Sequence, residues 1–281
     1  LITDSCCDVS PEVLAALDVE VLPFPFELEG EPYLDDGVSL AATDLYAAMR
    51  GGASPTTAQV RIADYQRAFE SAATAAEPTV FLSFSSALSG TYETALTVRD
   101  RTLEQHPGAE IHVVDSRRAS IAQGLLVLEA AARRDQGLSA TELVEWVESV
   151  RDRVRGYFTL ESLEHLRRGG RISDAVAFAG AMLDVRPVLR FSDVGGLVID
   201  RPVRGRKKSL RALVDLWAAE GDGRTLVIGH ADSLDDADSL ETILLEALPA
   251  EKVVRLNVGP VIGSHTGPGM VAVSFMVREG V

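Results

Sequence analysis

The sequence predicts an α/β fold: a doubly wound, parallel-sheet N-terminal domain followed by a second α/β (α+β) domain. Three observations point there. Through residues 1–156, short apolar runs alternate with amphipathic stretches, the order of repeated β–α–β units. Beyond residue 156, two strand-like runs flank Asp193-Val194-Gly195-Gly196 and read as a β-hairpin. A chain of 281 residues, 46% hydrophobic and 25% charged, is large enough for one big domain or two ordinary ones. The boundary is placed near residue 156, giving domains 1–156 and 157–281. No flexible linker separates them, so they should pack firmly.

Leu1–Thr3 is a strand stub, and opening directly on it reads as loss of an initiator Met and a residue or two. Pro11–Leu17 is a helix with Ser10 as its N-cap. Val19–Leu22 is a strand, and Phe24–Leu28 and Glu31–Leu34 flank Glu29-Gly30 as a hairpin. Thr43 is placed as the cap of a helix through Met49 that Gly51-Gly52 ends. Helices are predicted over Ala63–Ala76, Ser89–Gln105, Ile121–Arg134 and Ala140–Val154, with strands at Thr79–Ser83 and Ile111–Asp115. In the second half, Tyr157–Leu160 is a strand leading to short helices at Leu163–Arg168 and Asp174–Leu183. The hairpin is Arg186–Phe191 with Leu197–Val203. Helices at Leu210–Glu220 and Leu234–Leu248 alternate with strands at Thr225–Gly229 and Val253–Val258, and Met270–Val277 closes the chain.

The formal net charge of −15 argues against the basic face that nucleic acid requires and against standing attachment to an anionic membrane surface. A local basic run, Arg201 to Arg211, reads as a solvated helix start or, failing that, a dock for an acidic partner. No run approaches the roughly 18 apolar residues of a membrane span, and no signal peptide is visible, so the cytoplasm is the expected location. Cys6 and Cys7 are adjacent and cannot build a disulfide framework; they read as small residues in a turn.

Four serines fall within seven residues at Ser83, Ser85, Ser86 and Ser89, where a buried strand runs into the start of a helix. Free N–H groups and the helix dipole favour an anion there, Ser86 or Ser89 can add a hydroxyl, and Gly90 allows close approach. The alternative is that these serines only cap a helix. Asp4-Ser5 and Asp115-Ser116 end two further strands on the same carboxyl edge and read as turn residues that help shape the serine loop. A second segment, Gly259 to Gly269, sets four glycines and two prolines around His265 in a rigid turn. Without an HxxxH or Cys/His partner a metal is not expected; the imidazole can donate to a carboxylate oxygen. In a third, Arg168-Gly169-Gly170-Arg171, glycines break a helix and present two arginines suited to a carboxylate or phosphate. The plain alternative is a surface loop with a structural ion pair.

Together these segments resemble the DegV family, whose members include the fatty-acid-binding subunits of bacterial fatty acid kinase. The resemblance spans nearly the whole chain on five ordered motifs. Ile2-Thr3-Asp4-Ser5 resembles the family's opening, although Cys6-Cys7 stands where Thr-Ala is more usual. Thr57-Ala58-Gln59-Val60 resembles a T-S-Q-P block with its second and fourth residues replaced. Ser85 through Tyr92 resembles S-S-G-L-S-G-T-Y, departing at Ala87. Arg168 through Ile172 matches K/R-G-G-R-I, and Gly263 through Gly269 matches G-x-H-x-G-P-G.

The resemblance implies a non-catalytic, DegV-like subunit that binds a long-chain fatty acid as its ligand and uses no cofactor. The carboxylate would be held by Thr57, Ser89, the Gly90 amide and His265, with Ser86 beside them. The acyl chain would lie in an apolar tunnel, for which Ala175–Leu183 and Pro187–Phe191 are candidate walls. Arg171 and Arg168 would face an ATP-dependent fatty acid kinase subunit that forms the acyl phosphate. Two other functions fit parts of the pattern. A serine hydrolase would use Ser89 and His265, but Ala87-Leu88-Ser89-Gly90-Thr91 lacks both glycines of the G-x-S-x-G elbow. A phosphate or other small-anion binder would use the serine turn, yet no phosphate-loop motif is present.

Overall fold

A computed structural model describes residues 1–172 and 185–280. Strands β1 (Ile2–Asp4), β2 (Glu20–Leu22), β6 (Thr79–Ser83) and β7 (Ile111–Asp115) form a parallel sheet in the order β2-β1-β6-β7. The chain turns one way from β1 to β2 and the other way to β6 and β7. The switch point therefore lies between β1 and β6, where a doubly wound sheet opens a crevice at its carboxyl edge. Asp4 and Ser83 end those two strands.

Helices α3 (Ile62–Ala75) and α4 (Thr91–Gln105) pack together on this sheet, as do α5 (Ser120–Asp135) and α6 (Ala140–Val150). Their starts and stops follow local chemistry. The helix α1 (Pro11–Ala16) has proline at its first position and the Ser10 hydroxyl accepting from Val13 N–H, and α6 opens on a capping box of Ser139 and Glu142. The hairpin β3 (Pro25–Leu28) and β4 (Glu31–Leu34) turns through Glu29 and Gly30, both at positive φ, and a two-residue strand β5 (Thr56–Thr57) joins it. Thr43 lies inside α2 (Ala42–Arg50); Ala41 occupies the cap position without a side-chain bond.

The second sheet has six strands in the order β10-β9-β8-β13-β11-β12. These are β8 (Val154–Thr159), β9 (Val188–Phe191), β10 (Leu197–Arg201), β11 (Thr225–His230), β12 (Lys252–Asn257) and β13 (Val271–Met276). All pairings are antiparallel except β11 with β12. One face packs on α8 (Arg206–Glu220) and α9 (Leu234–Ala247) around Trp217, Phe275 and Tyr157. The other face receives α5. Side chains alternate accordingly, Tyr157 toward α8 and Phe158 into the core shared with the first sheet.

That shared core is continuous from Ile2 and Phe81 to Leu189 and Ala272. The division expected at residue 156 falls inside β8, whose partners all belong to the six-stranded sheet. The helix expected to reach Val154 ends at Val150, and a 3-10 turn, Arg151–Arg153, leads into β8. The helix placed at 174–183 and the wall placed at 175–183 lie outside the described residues; the other wall candidate, Pro187–Phe191, is described and contributes Phe191 to a cavity. The segment read as a rigid turn around His265 is a helix, α10 (Pro260–Thr266), following a short α7 (Glu164–Arg168) earlier in the chain. In the basic run at the start of α8, Arg201 pairs with Asp200, Arg206 with Asp236 and Arg211 with Asp215.

Helix α5 reaches the first turn of the chain through Gly124. A methyl group there would stand 2.5 Å from the Cys7 carbonyl oxygen and 3.0 Å from a Val9 methyl. Gly→Ala inside a helix ordinarily adds about 1 kcal/mol. Here the clash, worth about 1–3 kcal/mol, should outweigh it. Gly124→Ala is therefore expected to lower the urea midpoint of unfolding; a raised midpoint would show looser packing at this contact.

Candidate functional site

The switch point opens into a cavity of about 430 Å³ between α5, α10 and the six-stranded sheet. Its walls are mainly apolar, with Phe84 and Leu88 from the serine loop, Ile121 and Ala122 from α5, Phe158 from β8, Phe191 and Leu197 from the hairpin, and Ile262 and Met270 near α10. That volume lies within the ordinary range for small-molecule sites. Phe24 and Phe84 meet edge to face, with centroids 5.8 Å apart. Arg118, 3% exposed, lies 5.8 Å from the Phe191 ring centre and donates to the Val154 carbonyl at 2.8 Å. Burial brings its guanidinium down to about 10, and it remains charged at neutral pH.

Polar groups close a ring at this cavity. The Thr57 hydroxyl and His265 Nε2 are 2.8 Å apart. His265 packs on Gly169, where a methyl group would come within 2.2 Å of Nδ1. Two residues on, Arg171 donates from Nε to the Leu88 carbonyl at 3.3 Å. Leu88 leads to Ser89 and to Gly90, the N-cap of α4. Gly90 in turn faces Gln59: a Cβ would stand 2.5 Å from its Nε2. Thr57, Gln59, Ser89, Gly90, Arg171 and His265 all line the cavity.

His265 stands in the last turn of α10. Burial, and then the nearby Arg171 charge, lower its pKa to about 4, so the imidazole is neutral at neutral pH. Its Nδ1 is buried with no hydrogen-bond partner among the described residues. An orphaned N–H costs more than an orphaned lone pair, which favours the proton on Nε2, donated to Thr57. The Thr57 hydroxyl hydrogen is then free to point into the cavity. Ser89 Oγ lies 2.9 Å from the Thr91 hydroxyl and accepts from Thr91 N–H at 3.3 Å. The positive end of α4 adds a field that favours an anion beside it.

The other loop serines are structural. Ser86 does not reach the cavity: its hydroxyl donates to Asp115 at 2.6 Å and its N–H to the same carboxylate at 3.2 Å. The hydroxyl expected at the ligand is thus taken up by a carboxylate one strand away. Ser85 donates to the Gly195 carbonyl at 3.0 Å, tying the loop to the hairpin, and Ser83 bonds the Phe84 carbonyl. Asp4 accepts from Phe84 N–H at 2.7 Å and from Gln123 at 3.0 Å, which fixes the loop to β1. Asp4 and Asp115 shape the loop, as their strand-end positions suggested.

The arginine turn divides. Arg168 is exposed and donates to Ser54 Oγ, as expected of a surface residue. Arg171, expected on the same outer surface, is part-buried and lines the cavity, one residue after Gly170 at φ 69°. Sequence reasoning did not assign Gln59 to the site, although it stands two residues after Thr57 in the motif that supplied Thr57. It also missed Cys6, which lines the cavity. The Ser89–His265 pair of a hydrolase is not assembled: His265 bonds Thr57, Ser89 bonds Thr91, and no carboxylate meets Nδ1 among the described residues. No helix among the described residues is long and apolar enough to cross a membrane.

A polar ring at an apolar cavity suits an amphipathic acid, and comparison with known proteins gives that chemistry a context. The family model described as "Uncharacterised protein, DegV family" matches residues 1–278. A DegV domain-containing protein of Clostridium perfringens is 37% identical over 280 residues, covering 98% of this chain and 96% of that one. Among solved structures, a DegV family protein from Thermus thermophilus, described for its fatty acid binding, superposes with a TM-score of 0.88. It is 31% identical, with 98% of each chain covered. The Streptococcus pneumoniae Fatty Acid Kinase (Fak) B3 protein, loaded with linoleic acid, gives 0.86 at 25% identity, covering 99% of this chain and 98% of that one. The chain belongs to the DegV family.

Proposed function

We propose that this protein binds one long-chain fatty acid, with its acyl chain in the apolar cavity and its carboxylate at the polar ring. The observation that carries this reading is the ring itself. Thr57, Ser89, the Gly90 amide, Arg171 and a neutral His265 meet at a cavity whose remaining walls are mainly hydrocarbon. Each buried methylene contributes roughly 0.8 kcal/mol, so the chain supplies most of the affinity. The carboxylate must exchange water for donors of comparable strength, and the hydroxyls, amide and guanidinium provide them. The fatty acids bound by the Thermus and Streptococcus relatives support the same ligand class.

In this reading Arg171 is the cation of the carboxylate site. Arg168 remains on the outer surface, where it is available to an ATP-dependent kinase subunit that converts the bound acid to an acyl phosphate. The protein itself is not catalytic: it holds the carboxylate where a partner can reach it. Kinase presentation is supported by the likeness to the Streptococcus Fatty Acid Kinase (Fak) B3 protein and by the exposure of Arg168.

Ser89→Ala, His265→Ala and Arg171→Ala should each weaken binding of a fluorescent long-chain fatty acid by about tenfold or more, since a hydrogen bond to a charged group is worth about 1.5–3 kcal/mol. Circular dichroism should show all three folded. Unchanged affinity across the three would remove the carboxylate from this ring. Arg168→Ala should leave affinity within about twofold but slow acyl-phosphate formation with the kinase subunit; normal turnover would exclude Arg168 from docking.

A further inference from the structure

Two buried carboxylates share the space beneath α10 without a cation between them. Asp8 follows the Ser5–Cys7 turn in the left-handed conformation, φ 55°. It accepts from Gly259 N–H at 2.9 Å on Oδ1 and from the Ser120 hydroxyl at 2.5 Å on Oδ2. Gly259 is the N-cap of the helix that carries His265, and Ser120 opens α5, which supplies cavity wall. Asp35, just past β4, lies on the same spot. A methyl group at Gly259 would stand 3.0 Å from Asp8 Oδ1 and 3.1 Å from Asp35 Oδ1, so those oxygens are no more than about 6 Å apart.

Both side chains are more than nine-tenths buried; the Ser5 hydroxyl and the Val261 N–H lie toward Asp35 and favour its charged form, yet Oδ2 has no hydrogen bond of ordinary geometry among the described residues. The titratable groups around them are Asp4, Cys6 and Cys7 from β1 and its turn, Asp36 from the same loop, and Tyr46 from α2. None of these is a cation. Two like charges at this separation in low dielectric oppose each other's ionisation, and an oxygen without a donor in ordinary geometry leaves room for a proton.

We propose that Asp8 and Asp35 between them retain a proton whose presence seats α10, making the pair positioning residues for His265 and coupling ligand affinity to pH. Burial pushes the Asp35 carboxyl up to about 7 and Asp8 well above the ordinary carboxylate range. The folded protein therefore holds a proton that the unfolded chain releases near pH 4. By linkage, this stability is full below about pH 4, declines as pH rises, and is gone above about pH 7. Once the proton is lost, a charged carboxylate stands buried beside Gly259, between β12 and α10. The affinity readout rests on the fatty acid reading; the unfolding readout does not.

The test compares the full chain with Asp35→Asn, an uncharged isostere, at pH 5.5 and pH 8. Thermal unfolding and binding of cis-parinaric acid are measured on both. From pH 5.5 to 8 the wild type is expected to lose about 3 °C or more beyond any loss in the variant. Its affinity should fall about fivefold or more, while the variant changes by less than about twofold. Parallel pH profiles in the two proteins would overturn the proposal. A flat variant Tm profile with no binding by either protein would uphold the retained proton and overturn the fatty acid reading instead. If Asp35→Asn does not fold, Asp8→Asn, whose amide can still serve Gly259 and Ser120, is read in the same way.

Discussion

A carboxylate leaves water only where other donors replace its hydration, and an acyl chain leaves water wherever it can. In the proposed reading, the architecture serves to hold these two demands at one cavity. Hydrocarbon walls are readily built from a shared core, and Phe158, Ile121 and Ile262 extend that core to the cavity surface. The donors are harder to place, because each has its own desolvation cost until a ligand arrives. The structure keeps that cost low by pairing them with one another: Thr57 with His265, Ser89 with Thr91, and Arg171 with the Leu88 carbonyl.

Each donor comes from a different element, so the ring exists only when the two large sheets and the small one are docked. Thr57 stands on β5, Ser89 and Gly90 precede α4, Arg171 follows α7, and His265 ends α10. Glycine makes the close approaches possible. Gly169 lets the arginine turn lie against the imidazole, and Gly263 lets α10 lie against Tyr46, whose hydroxyl holds the Val258 carbonyl at 2.7 Å. The buried Asp8 and Asp35 stand under the same helix from the opposite end. A packing defect in any of these contacts would reach the ring through α10.

Much of this was legible in the sequence. The parallel sheet was readable because Thr79–Ser83 and Ile111–Asp115 are short apolar runs ending in polar turns, and both strands have those bounds. Thr57, Ser89, Gly90 and His265, which line the cavity, stood out in the sequence because they sit in motifs that break their local pattern. Helix α10 was missed because seven residues with a central glycine carry no amphipathic period, although proline at its first position and glycine at its C-cap are regular helix signals. Ser86 and Arg171 stand elsewhere than their spacing suggests for another reason. Spacing cannot say that Asp115, one strand away, will capture Ser86, nor that Arg171, one residue after a positive-φ glycine, will line the cavity. Tertiary partners decided both.

The most direct test of the central claim is a native mass spectrum of the protein as purified from a bacterial lysate, then delipidated and reloaded. A cavity with one carboxylate ring should give a single adduct per chain, released on denaturation as a long-chain fatty acid and restored in the same stoichiometry by adding that acid. Delipidated, folded protein that takes up no fatty acid, or takes several without saturation, would contradict the account.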